Sequence, residues 1–248
     1  MSIHDKFITT PISNILEDAV VSCSFLKNDI KACSLSEYIM QTTFLKLTGA
    51  GEQKCKCILW ELASADYEFR HSFLNEHDYG ECSNYKSKNK ILSNLLDCIQ
   101  KNSTFDMDDA DRISILDRTR RLCNDLFEKS VFKDWFSKDY SHFNFFSSSI
   151  GHKQIIQCQN KQKSIFIDKN QLSPQEKENC LKDCFESMYT HRNRCAHNLL
   201  SYQDNTPSLR KLLSSNPKYE NWFSRYFILC LLDNIFIFLF KKYTESIN

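Results

Sequence analysis

The chain has 248 residues, 42% of them hydrophobic and 25% charged, so it can bury a real core and does not have the composition of a disordered or low-complexity protein. Its formal net charge of +1 gives no global electrostatic case for nucleic acid, so any such binding needs a local patch. With only four glycines and four prolines, long helices are favoured, and the expected fold class is all-α. The expected organisation is one multi-helix domain over residues 1–248. Its core helices fall at about 13–75 and 173–246, around an insertion over 76–172 that is harder to assign.

In chain order, Ser13 to Ser34 predicts an amphipathic helix: Pro11 lies just outside, Ser13 can cap, and Ile15, Leu16, Ala19, Val20 and Cys23 line one face. Ser36 to about Leu74 predicts a second helical stretch with Tyr38, Ile39, Phe44, Leu45, Ile58, Leu59 and Leu62 apolar. Gly49-Ala50-Gly51 interrupts it and predicts a close helix crossing or a kink, with a break into two helices as the alternative. Asn75 to Asn89 is polar and predicts a loop; Lys86, Lys88 and Lys90 are candidate RNA contacts, with a solvated lysine cluster the expected reading.

Two more helices are expected over Lys90 to Gln100 and Ala110 to Lys129. The second has Asp109 and Asp111 at its start and Arg118, Arg120 and Arg121 later, which suits the helix dipole. From Tyr140 to Gln171 the character changes. Gln154 to Cys158 and Ser164 to Ile167 are short β-prone runs about a polar link, predicting a small hairpin that forms a surface excursion, a lid or a partner contact.

The central stretch runs from Ser173 to Leu200. Ser173 as N-cap, Pro174 at the first helical position and Glu176 closing a capping box predict a helix beginning there. Apolar residues follow at helical spacing through Cys180, Leu181, Cys184, Phe185, Met188 and Tyr189. Beyond it, Thr206-Pro207 predicts a short helix and Asn216-Pro217 the start of the last one. Phe223 to Phe240 is very apolar, yet Arg225, Asp233 and Asn234 interrupt it, so a core helix or subunit interface is expected and not a membrane span.

The twelve cysteines point first to disulfides or zinc. Met1 to Thr10 contains His4, Asp5 and Lys6 and no apolar run, which predicts no signal peptide and reduced thiols in a cytoplasmic protein. Cys55-Lys56-Cys57 is too tight for a zinc ribbon. Cys180, Cys184, His191 and Cys195 share a helix face but extend over about 22 Å, too far for one ion. No metal or cofactor is therefore expected.

The chemistry concentrates in Arg192-Asn193-Arg194-Cys195-Ala196-His197. A bare Arg-x4–6-His is uninformative, since Arg70 and His77 also match it. Histidine titrates near neutrality and can serve as base or acid, whereas arginine stays charged and offers a planar fork to phosphate oxygens. RNA carries its own nucleophile in the 2′-hydroxyl, so a protein that cleaves it must move protons and stabilise charge on phosphate. His197 suits the proton-transfer or phosphate-orienting role and Arg192 the transition-state anchor. Asn193, four residues before His197, can orient its ring. Arg194 and His191 are candidate substrate contacts, and Glu52 is a possible supporting acid.

In the form Arg-Asn-x-x-Ala-His, late on a capped helix and followed by an apolar one, the stretch resembles the HEPN superfamily of all-helical domains. Tyr38 to Leu62, with Glu52 followed by Lys54, resembles the long early helix of that fold more loosely. The resemblance implies a HEPN-like bundle and a metal-independent endoribonuclease of a toxin–antitoxin or anti-phage system. It acts on RNA such as tRNA or another structured RNA, and is a homodimer sharing one cleft. An antitoxin or other regulatory protein is an implied partner, and a membrane is not. Some relatives only bind a nucleotide, RNA or protein, so a non-catalytic binding module is the alternative. A structural module assembling through Phe223 to Phe240 is a third.

Overall fold

A computed structural model describes residues 3–25, 30–75, 80–158, 163–174, 176–197 and 220–247, and among these the fold is all-α: ten α-helices and one two-stranded hairpin. The helices are α1 (Ile3–Thr9), α2 (Ser13–Cys23), α3 (Ile30–Ala65), α4 (Tyr67–Asn75), α5 (Tyr85–Asn102), α6 (Asp109–Glu128), α7 (Val131–Trp135), α8 (Ser137–Ser149), α9 (Leu181–His197) and α10 (Trp222–Ile247). Strands β1 (Ile155–Gln157) and β2 (Ser164–Phe166) pair antiparallel, Ile155 opposite Phe166. The helices expected to begin at Thr206 and Asn216 start outside the described residues.

α10 is the axis. It packs against α3, α5, α6 and α8, and residues on every side of it from Trp222 to Phe240 are buried. Among the described residues it is the helix long and apolar enough to cross a membrane, and 89% of that apolar window is buried inside the protein. A helix that is apolar all round needs partners on every side. Residues 85–149 supply several of them. Phe127 of α6 and Phe143 of α8 meet Phe223 edge-on or tilted, with Phe127 and Phe223 ring centroids 4.9 Å apart. Such pairs add about 0.5–1.5 kcal/mol each beyond the area they bury. Even the polar interruptions are used: Asn234 Nδ2 donates to Thr119 Oγ1 at 2.9 Å, and the Tyr226 hydroxyl donates to the Met40 carbonyl at 2.7 Å.

Local signals explain some element starts. Asp108 caps α6 by accepting from the Asp111 N–H at 2.7 Å, and Asn84 caps α5 by accepting from Ser87 N–H at 2.8 Å. The hairpin packs into the body: Ile155, Ile156, Ile165 and Phe166 are all buried. Asn89 of α5 accepts from the Ile165 N–H at 2.8 Å, and Arg112 of α6 donates to the Ile156 carbonyl at 3.0 Å. It is thus an embedded brace and not a surface excursion.

Several boundaries differ from expectation. α2 ends at Cys23 and α3 begins at Ile30, where one helix was expected from Ser13 to Ser34. α3 then continues unbroken through Gly49 and Gly51, and a Cβ at either would meet nothing within 4 Å, so no neighbour crosses closely there. The expected second stretch instead ends at Ala65, where Asp66 accepts from the Phe69 N–H at 3.0 Å and starts α4 afresh. Ser173 and Glu176 do interact, the Ser173 N–H and hydroxyl donating to Glu176 Oε2 at 3.0 and 2.7 Å. That interaction leads into a single 3₁₀ turn over Glu176–Asn179, and α9 begins only at Leu181.

Candidate active site

α3 and α9 pack against each other and bring together two residues 140 positions apart: Arg192 Nη2 lies 3.2 Å from Glu52 Oε2. Both side chains are mostly covered, 23% and 13% exposed. The pair is incompletely satisfied. Glu52 Oε1 and Arg192 Nε are buried with no hydrogen-bond partner among the described residues. Buried polar atoms are nearly always paired; the described residues also leave Asn124, Trp135, His142, Gln154, Asn179, Arg194 and Ser224 with such atoms, so the orphans alone do not single out this pair.

Asn193 is exposed, and its Oδ1 accepts a long contact from Arg192 Nη1 at 3.4 Å. Arg194 is half-buried, and its Nε is likewise buried without a partner among the described residues. His191 lies inside the protein: 5% exposed, its Nε2 is 3.4 Å from Cys195 Sγ and its ring stands edge-on to Trp222 at 5.3 Å. That is the setting of a packing histidine, and it leaves the arginines as the polar face of the motif. His197 is the last residue of α9, and its side chain lies outside the described residues. Five helical residues separate it from Arg192, about 140° around the axis and about 7.5 Å along it. Gln41 of α3 donates to the Cys195 carbonyl at 3.5 Å, a second tie between the two helices.

Two buried lysines lie beside this site. Lys54, two residues after Glu52, pairs with Asp233 of α10 at 2.6 Å, both about 5% exposed. Lys54 also donates to the Thr10 carbonyl, and Asp233 accepts from the Ile12 N–H at 2.9 Å, so the pair fastens the α1–α2 turn to the core. Burial pushes the Asp233 carboxyl up and the Lys54 ammonium down, each opposed by the other's charge. Lys88, expected to be solvated, is 1% exposed. It falls on the buried face of α5 with Ile91, Leu92, Leu95 and Ile99, and its ammonium donates to the Cys82 carbonyl at 2.6 Å. A cavity of about 20 Å³, room for about one water, is lined by Lys54, Cys55, Lys88, Tyr189 and Asp233 among others.

Helical spacing carried the signal for these lysines: Lys54 is four before Ile58, and Lys88 is three, four and seven before Ile91, Leu92 and Leu95. The eleven cysteines whose side chains are described are free thiols, and no three His, Cys, Asp or Glu side chains among the described residues are grouped to hold a metal ion. Comparison with protein-family models, curated proteins and solved structures finds no match to the chain.

Proposed function

We propose that the chain is a HEPN-type endoribonuclease, dimeric and metal-independent, serving as a toxin or anti-phage effector. The observation that supports it most is the approach of Glu52 to Arg192: two residues singled out separately in the sequence meet at 3.2 Å with polar atoms to spare. In the proposed reaction a His197 takes the proton from the 2′-hydroxyl, whose oxygen attacks the adjacent phosphorus. The P–O5′ bond breaks, and a second histidine protonates the departing oxygen. The products are a 2′,3′-cyclic phosphate and a 5′-hydroxyl. Arg192 stabilises the charge on the phosphoryl oxygens, an interaction whose loss costs about 10²–10³ in rate in comparable sites. One α9 supplies one such histidine, so two copies about a two-fold axis supply the acid and the base.

The test is incubation of the protein with total tRNA and single-stranded RNA in EDTA, beside His197→Ala. Products with cyclic-phosphate ends that vanish in the variant support the assignment, and equal cleavage by both overturns it. The alternative is a binding module without catalysis. It is favoured by one observation: Glu52 occupies part of the Arg192 fork and competes with phosphate for it. It predicts RNA retention without products, weakened by Arg192→Ala and Arg194→Ala.

A further inference from the structure

The small cavity where α3, α5, α9 and α10 meet has an unbalanced lining. Two ammonium groups, Lys54 and Lys88, stand against one carboxylate, Asp233, and all three residues are at most 6% exposed. Lys54 and Asp233 meet at 2.6 Å, so together they carry no net charge whichever of them holds the shared proton. Both Asp233 oxygens are engaged, Oδ1 by Lys54 and Oδ2 by the Ile12 N–H. Burial pushes the Cys55 thiol up and the Tyr189 hydroxyl up to about 12, so both line the cavity as neutral donors near pH 7. What is left over is the charge on Lys88. Its ammonium donates to the Cys82 carbonyl at 2.6 Å and lies 5.4 Å from the Tyr189 ring centroid, with no carboxylate in ion-pair reach among the described residues. A carbonyl and a ring face do not offset the cost of taking a full cation out of water.

We propose that this cavity is an anion site, taking one chloride-sized monovalent ion beside the Lys88 ammonium. Such an ion cancels the charge that the lining leaves over and meets donors in Lys88, Tyr189 and Cys55. Size selects the class of ligand. A volume of about 20 Å³ admits one ligand of about a water's bulk, which excludes phosphate and carboxylates. The site is therefore distinct from the Arg192 fork, and it stands whether or not the chain cleaves RNA. Because four helices furnish the lining, the ion joins α5 and α9 to α3 and α10. It stabilises the folded chain with the saturating dependence of any ligand that binds the native state alone.

The test uses the full chain and has two arms. Crystals equilibrated with sodium bromide are read by bromine anomalous scattering. A bromide peak in the cavity, within hydrogen-bonding reach of Lys88 Nζ, is the expected result. A cavity that holds only water, with bromide confined to the surface, overturns the proposal, as it would if Lys88 were a neutral amine needing no counter-ion. This arm needs no substitution, so it decides the matter even if Lys88→Met does not fold. In solution, sodium chloride replaces sodium gluconate at constant ionic strength while urea unfolding is followed. The wild-type midpoint rises and levels off as chloride fills the site, on top of the shallow, unsaturating trend that exchanging one salt for another gives any protein. Folded Lys88→Met keeps that trend and loses the saturating rise. A saturating rise of equal size in both proteins, or its absence from wild type, overturns the proposal.

Discussion

Helix α3 carries two ion pairs two residues apart, and they are built differently. Lys54–Asp233 is sealed and saturated: the ammonium also reaches the Thr10 carbonyl, and the carboxylate also takes the Ile12 N–H. Glu52–Arg192 is mostly covered but unsaturated, with one oxygen and one N–H left over among the described residues. The first geometry directs two ammonium donors and both carboxylate oxygens to the fold. The second withholds some. Under the proposed function the open valence beside the Arg192 fork is what a substrate would meet, whereas the Lys54–Asp233 pair joins elements.

The largest effect that sharpens this contrast is on stability. Lys54→Met strands Asp233 as an unpaired buried carboxylate and is expected to cost about 3–5 kcal/mol in urea unfolding. Replacing both partners, Lys54→Met with Asp233→Leu, recovers most of that, because two apolar groups need no partner. A Lys54→Met protein as stable as wild type would place the Lys54–Asp233 pair outside the scaffold.

Arg192→Ala is expected to do the reverse, cutting RNA cleavage by about 100-fold or more, about 2.7 kcal/mol of transition-state stabilisation, with less than about 1 kcal/mol lost in stability. Glu52→Gln keeps shape and drops charge, so a smaller loss of about tenfold in rate is expected in the same assay.

The smallest effect tests a half-buried carboxylate. Asp66 accepts from the Phe69 N–H at the start of α4, and that hydrogen bond, with the nearby Lys101, holds its carboxyl below the ordinary aspartate value of 3.8. Its stabilisation is complete above that unfolded value and is lost as pH falls through the lower folded value. Asp66→Ala should cost about 1 kcal/mol at neutral pH and flatten that part of the acid unfolding profile.

Much of this was legible in the sequence where one signal dominated. Short β-prone runs about residues 159–162 mark the hairpin, the acidic start marks α6, and the apolar run broken by Arg225, Asp233 and Asn234 marks α10. Where signals competed, it was not. α8 is rich in serine and aromatics, poor helix formers, and forms because Tyr140 and Phe143 fit the Phe127–Phe223 cluster and Phe146 meets Phe227, a tertiary cause. The capping pair Ser173 and Glu176 was correctly matched, yet a 3₁₀ turn intervenes before α9. Residue type alone points Lys88 to solvent, while its spacing with Ile91, Leu92 and Leu95 puts it on the buried face. At the candidate site, Arg192 and Glu52 were each identifiable, but their meeting depends on how α3 and α9 cross.

The most direct test of the division between scaffold and site measures urea unfolding and RNA cleavage side by side on Lys54→Met and Arg192→Ala. The account predicts that Lys54→Met loses stability, while Arg192→Ala keeps it and loses cleavage. An Arg192→Ala protein that is destabilised as much as Lys54→Met, yet still cuts RNA at the wild-type rate, would make Glu52–Arg192 another structural tie and contradict the account.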